Sequence, residues 1–192
     1  MPPQNQENME KKLQIYIPKH SFEIDKCLLI ALVLWSLPVL LIFGESIFPK
    51  YEEDLNLLLV FFSIITFLFS LYFITSNFFK CEATNGKFNG HLIIDSEKIT
   101  CNLDAYTIYE IEKIAILSDY YRGKFNGNTR AWERKKSNGV KNYIEIHKKN
   151  GEYQKYFFLQ TKTENIKMFA DELKTYYRFG KLGEQNYKNI VE

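Results

Sequence analysis

The sequence predicts an α+β protein: a two-helix transmembrane hairpin, then a small antiparallel β-barrel or sandwich closed by a C-terminal amphipathic helix. Three observations carry that expectation. Two long runs, Cys27–Phe43 and Leu55–Phe79, contain no charged residue. Short alternating apolar runs separated by turn residues follow them. One stretch near the end keeps helical apolar spacing. Averages hide this division, because 192 residues with 46% hydrophobic and 25% charged side chains and a mean hydropathy of -0.27 read as an ordinary soluble domain.

Four regions are expected: an N-terminal segment 1–26, a membrane hairpin 27–79, a β domain with its terminal helix 80–180, and a tail 181–192. A helix needs roughly 20 apolar residues to cross a hydrocarbon core of about 30 Å. Leu55–Phe79 offers 25, and the first span reaches 22 by running from Cys27 to Phe48. Pro38 lies inside that span, where lipid tolerates it with a kink. A cleaved signal peptide is disfavoured, since the apolar run begins only after a long polar stretch and a second span follows. The connection Gly44–Asp54 carries one Lys and four acids, whereas residues 1–26 carry four lysines. From Lys80 onward there are 20 Lys and Arg against 15 Asp and Glu, a net +5. The positive-inside rule therefore puts both termini and the C-terminal domain on the cytoplasmic side of the inner (cytoplasmic) membrane. Cys27, Cys81 and Cys101 show no paired spacing, which suits a reducing compartment.

Within the second span, Asn56, Ser63, Ser70 and Asn77 recur every seven residues, with Thr66 three after Ser63. Seven residues are nearly two helical turns, so these side chains share a face. Small and polar residues in lipid mark helix packing, here against the first helix or against a second copy in a homo-oligomer. Lining an aqueous path is the alternative. Neither uncharged run holds an Asp, Glu, Lys, Arg or His, which disfavours proton or ion transport by one hairpin.

The β domain reads as alternating runs. His91–Asp95 and Lys98–Leu103 are joined by a tight turn at 95–98. Tyr106–Ile111 and Lys113–Leu117 follow, with Ile108, Ile111, Ile114 and Ile116 as core residues. Tyr143–Lys148 and Tyr153–Gln160 flank Asn150-Gly151, the sequence of a type I′ hairpin turn. Ile144 and Ile146 are expected to face in, with Tyr143, Glu145 and His147 facing out. Thr161 and Glu164 fit a capping box opening the helix. Ile166, Phe169, Ala170, Leu173, Tyr176 and Tyr177 form its apolar face, and Gly180 ends it.

The hairpin followed by HLIIDSEKIT, the Tyr106–Ile114 strand pair, NYIEIHKKNGEYQKYFFL and a closing helix resembles the bacterial membrane-anchored pleckstrin-homology-like (PH-like) proteins. The resemblance covers roughly residues 88–178 plus the anchor and rests on element order and hydrophobic pattern. It implies a PH-like barrel, no catalysis, and binding of acidic headgroups through a basic inter-strand loop. The longest irregular segment fits that role. It carries Arg122, Lys124, Arg130, Arg134, Lys135 and Lys136 against Asp119 and Glu133, with Trp132 among them. Each cation near an anionic leaflet contributes about 1 kcal/mol, and an interfacial Trp adds a headgroup contact. A solvated loop is the plainer reading.

Other chemistry finds no support. Gly-Lys-Phe-Asn-Gly occurs at Gly86–Gly90 and again at Gly123–Gly127 but lacks the Walker pattern. His20, His91 and His147 form no metal spacing, and no nucleophile signature is present. The expectation is a non-enzymatic membrane protein without cofactor, binding anionic lipids or a protein partner; nucleic acid is the weaker partner. A different class stays open. In architecture the chain also resembles the two-helix plus β-barrel effectors of bacterial antiphage defence, whose barrel senses a ligand and whose hairpins oligomerise. An immunity protein against a membrane-acting toxin is a third reading and a tethered DNA-binding regulator a fourth.

Overall fold

The computed structural model describes residues 11–19, 26–47, 52–127 and 133–192. The elements run β1 (Leu13–Pro18), α1 (Lys26–Ile47), α2 (Glu52–Phe79), β2 (Gly86–Ile94), β3 (Lys98–Cys101), β4 (Asp104–Thr107), β5 (Ile111–Leu117), β6 (Asn142–Lys148), β7 (Tyr153–Phe158), a 3₁₀ turn Ile166–Phe169, α3 (Ala170–Arg178) and α4 (Glu184–Val191). They divide into two compact units. One contains the sheet and the C-terminal helices, and the other contains α1, α2 and residues 127–135.

The sheet unit is an antiparallel sheet in the order β4-β3-β2-β1-β7-β6-β5. Its central strand, β1, lies inside the N-terminal segment 1–26, for which no strand is expected from the sequence. Leu13, Ile15 and Ile17 alternate with Gln14 and Tyr16, the period of a half-buried strand, and β1 pairs with β2 on one side and β7 on the other. The two long helices are thus inserted between adjacent strands. The chain leaves the sheet at Pro18 and returns at Gly86, and these two residues are partners in the ladder.

The sheet curls but does not close into the expected barrel. β4 and β7 are four strands apart, about 19 Å in a flat sheet. Yet the hydroxyls of Tyr106 on β4 and Tyr156 on β7 lie 2.5 Å apart. Closure fails because no ladder joins β4 to β5, and the outer groups of both strands are engaged elsewhere. Thr107 on β4 donates its N–H to Glu110 Oε2 at 3.0 Å and accepts the Glu110 N–H at 3.0 Å. On β5, Ile114 N–H meets Lys181 O at 2.8 Å. The Asn186 carboxamide takes the Ile116 N–H at 2.8 Å and donates to the Ile116 carbonyl at 2.6 Å. Asn186 belongs to α4, so residues 181–192 are a packed element rather than the expected tail. Leu182 and Ile190 are buried in the core.

Most of the expected parity holds. Ile108, Ile111, Ile114, Ile116, Ile144 and Ile146 are all buried. The run Tyr106–Ile111 is broken, however: β4 ends at Thr107 and residues 108–110 turn into β5. The β6–β7 hairpin also differs from expectation. A type I′ turn needs positive φ at both central residues. Here Gly151 has φ 87 and Asn150 is not among the positive-φ residues. Lys148 O accepts the Gly151 N–H and Lys148 N–H donates to Glu152 O, which is a three-residue loop ending in a glycine bulge.

The first Gly-Lys-Phe-Asn-Gly copy also holds a bulge. Asn89 and Gly90 together face Ile15, and Gly90 has φ 75. A Cβ at Gly90 would sit 2.4 Å from Asn102 Oδ1. The second copy, with the same five residues, lies in the β5–β6 connection. Repetition of sequence is not repetition of structure.

At the C-terminal side, Thr161 Oγ1 accepts the Glu164 N–H at 2.9 Å, but this turn does not open a helix. Asn165 is the cap, accepting the Lys167 N–H at 3.0 Å ahead of the 3₁₀ turn. The reason is Ile166, whose N–H is bonded to the buried Gln160 side chain, so the chain must turn before it coils. Ile166, Phe169, Leu173 and Tyr176 then pack into the core. α3 ends where Gly180 N–H reaches Tyr177 O and Lys181 N–H reaches Tyr176 O, a Schellman arrangement.

In the helical unit, α1 and α2 pack on each other. Among the described residues one helix, Asn56–Phe79, is long and apolar enough to cross a membrane, with mean hydropathy 2.6. The expected first span is represented by a shorter apolar stretch, Leu29–Phe43, inside α1. Residue 48, its expected end, lies outside the described residues.

Candidate lipid-facing site

Large apolar side chains cover the surface of both helices. Leu57 is 72% exposed and Phe67 67%, and Leu40, Phe43, Leu71 and Phe79 are similarly bare. A soluble protein rarely leaves so broad an apolar surface uncovered. The surface between the helices uses part of the polar stripe. Trp35 Nε1–H donates to Ser70 Oγ at 2.9 Å, and Ser70 Oγ–H donates to Thr66 O at 2.7 Å. Thr66 Oγ1–H bonds Phe62 O at 2.7 Å, with Leu34 O of α1 at 3.3 Å. Asn77 is buried, whereas Asn56 and Ser63 are exposed. A straight helix drifts about 20° per heptad, so a strict seven-residue stripe rotates off the interface along its length.

The basic residues expected to act together are divided between the two units. Arg122, Lys124 and Lys136 belong to the sheet unit, and Arg134 and Lys135 to the helical unit. Arg130 and Trp132 lie outside the described residues. In the helical unit, Lys135 N–H donates to Asn77 O at 3.0 Å. The last carbonyls of a helix have no partner within it, and α2 has no basic residue in its final turn. A segment more than fifty residues away supplies the bond, and cations placed there suit the negative end of the helix dipole.

In the sheet unit the loop is built from its base. Asn142 and Gln160 are fully buried. Asn142 Nδ2 donates to Tyr120 O at 2.5 Å and Gly139 O at 2.8 Å, while its Oδ1 accepts the Tyr120 N–H. Gln160 Nε2 donates to Ser118 O at 2.9 Å, and the backbone of Gln160 joins Arg122 to Gly139. Gly123 and Lys124 pair with Ser137 through two 2.8 Å backbone bonds. Buried carboxamides cost free energy unless bonded; here Asn142 is satisfied by the two ends of the loop, and Gln160 by Ser118 at one end and by the Ile166 N–H. Lys124 Nζ donates to Asp119 O at 2.6 Å; Arg122 is exposed and Lys136 half-buried. Asn142 was overlooked by sequence reasoning, although a polar residue at the inward parity of Ile144 and Ile146 is itself a signal.

Among the described residues no group of His, Cys, Asp and Glu could hold a metal ion. Cys101 is fully buried; burial first, then the neighbouring Asp104, pushes its thiol far above the ordinary range and keeps it protonated. Compared with models of known families, with curated proteins and with solved structures, the chain matches none.

Proposed function

We propose that this is a non-enzymatic membrane protein whose apolar helical pair anchors a PH-like sheet domain at the cytoplasmic face of the inner membrane. In this reading the cations around Lys135 engage acidic lipid headgroups. The observation that carries it is the Lys135–Asn77 bond, which fixes a basic segment at the end of an apolar helix with a bare outer surface. Pairing of Pro18 with Gly86 supports a two-pass anchor, because it returns the inserted helices to the point where they left. Seven antiparallel strands with a C-terminal helical cap support the PH-like resemblance. At about 1 kcal/mol per cation, Arg134 and Lys135 together amount to roughly a thirtyfold preference for an anionic leaflet.

The test uses the whole chain, since a fragment starting at Lys80 lacks the central strand β1. Retention of phosphatidylglycerol over phosphatidylcholine in nanodiscs is measured by native mass spectrometry. The preference is expected to fall on changing Arg134 and Lys135 to Gln, and to fall with salt. Equal retention of both lipids by the unaltered chain sinks the headgroup reading. Exposure of Asn56 and Ser63 along the apolar span of α2 favours a second reading, self-association through α2. Cross-linking in membranes that survives Asn56→Leu with Ser63→Leu removes it.

A further inference from the structure

The β1–β2, β3–β4 and β6–β7 connections lie at one end of the curled sheet. Leu13, Ile15 and Ile17 share one parity on β1. The first two are buried, but Ile17 is 47% exposed. Beside it opens a cleft of about 440 Å³, lined by Ile17, Asn89, Asn102, Asp104, Lys155 and Tyr156. That volume lies within the range of small-molecule sites.

Hydrogen-bond donors in the cleft run in one direction only. Asp104 as a carboxylate can only accept. Tyr156 O–H therefore donates to Asp104 Oδ2 at 2.8 Å, and Tyr106 O–H must in turn donate to Tyr156. Burial, first among the causes, holds both phenols protonated, so the negative charge of the group rests on Asp104. A carboxylate has room for about four hydrogen bonds, and Asp104 Oδ2 receives one from a side chain. Two cations nearby are already engaged, Lys148 with Tyr106 itself, whose ring centre is 5.3 Å from its Nζ. Lys155 Nζ is 3.0 Å from Glu145 and 3.4 Å from the centre of the Tyr143 ring, and Lys148 Nζ is 3.0 Å from Glu152.

We infer that this mouth is a binding site for a small organic cation: an ammonium, amidinium or guanidinium group on an apolar body, paired with Asp104 and covering Ile17. Asn89 and Asn102 add carboxamide acceptors to the lining, and an anion meets a lysine, Lys155, that is already paired with Glu145. The site is independent of the lipid reading.

The probe is benzamidinium, with benzoate as its charge-reversed counterpart. Each is titrated into the full chain in neutral nanodiscs carrying ¹³C-labelled isoleucine methyl groups. Benzamidinium is expected to shift the Ile17 methyl saturably while benzoate leaves it in place, and Asp104→Asn is expected to weaken binding at least tenfold. An Ile17 signal unmoved by benzamidinium, moved equally by both probes, or moved undiminished in Asp104→Asn overturns the inference. If that variant misfolds, the two-probe comparison on the unaltered chain decides alone.

Discussion

At β5 the outer backbone groups meet a remote stretch of chain, whereas at β4 they meet a side chain three residues away. The seven-residue β5 exposes enough ladder to recruit a partner strand, and Lys181 with Asn186 closes it. The four-residue β4 needs only Glu110, which bonds Thr107 through its carboxylate and its own N–H. Edge strands invite aggregation in proportion to the length of ladder they present. A long edge is covered here by a tertiary element, while a short one is closed by a local turn.

Removing the chain after Gly180 is expected to have the largest effect. It strips Leu182 and Ile190 from the core and leaves the outer edge of β5 without partners. Two buried aliphatic side chains contribute about 1.5–3 kcal/mol each, and unsatisfied backbone groups cost about 1–3 kcal/mol each. Their sum approaches the whole stability of a domain. Circular dichroism and light scattering are expected to report an aggregated chain; a monomer with native spectrum would show that β5 does not need its cover.

Next in size is Asn186→Leu, which leaves both polar groups of Ile116 without partners and is expected to cost about 2–4 kcal/mol in chemical denaturation. Asn186→Asp sharpens the point. Its carboxylate accepts the Ile116 N–H but opposes the Ile116 carbonyl, so stability is expected to recover in acid, where the protonated group can donate again.

The smallest effect is expected at β4. Glu110 is fully exposed, and the Thr107 backbone N–H holds its carboxyl below the ordinary range. Its contribution is therefore complete above the unfolded carboxylate value of about 4.3. It is lost as pH falls through the depressed folded value. Hydrogen-exchange protection of the Thr107 amide is expected to drop in acid and in Glu110→Gln, while that of Ile116, closed by an uncharged carboxamide, stays level. Equal acid sensitivity at both amides would erase the distinction between the edges.

What could be read from sequence follows the range of the forces involved. The apolar runs of α1 and α2, the inward isoleucines of β5 and β6, and the end of α3 at Gly180 are local patterns, and they hold. β1 shows period-two alternation over only six residues, and its partners lie on β2 and β7, so no neighbouring element announces it. α4 has a single buried residue, Ile190, too little for a periodicity. The Asn150-Gly151 turn was recognised as a hairpin, but its type depends on loop length, which composition does not fix. The basic loop was legible as a charge run. Its division between two units was not, because Lys135 finds Asn77 only through tertiary structure.

Placement of the helical pair between β1 and β2 also sets a timetable. Ile15 pairs with Phe158, which leaves the ribosome on the order of 140 residues later. At about 5–20 residues per second, β1 waits several seconds or more, through the insertion of whatever the helices enter, before either neighbour can complete the sheet. Its strand groups stay unpaired for that interval. Contacts of such high sequence separation also slow folding, so nascent chains stalled between Phe79 and Tyr153 are those expected to depend most on chaperones.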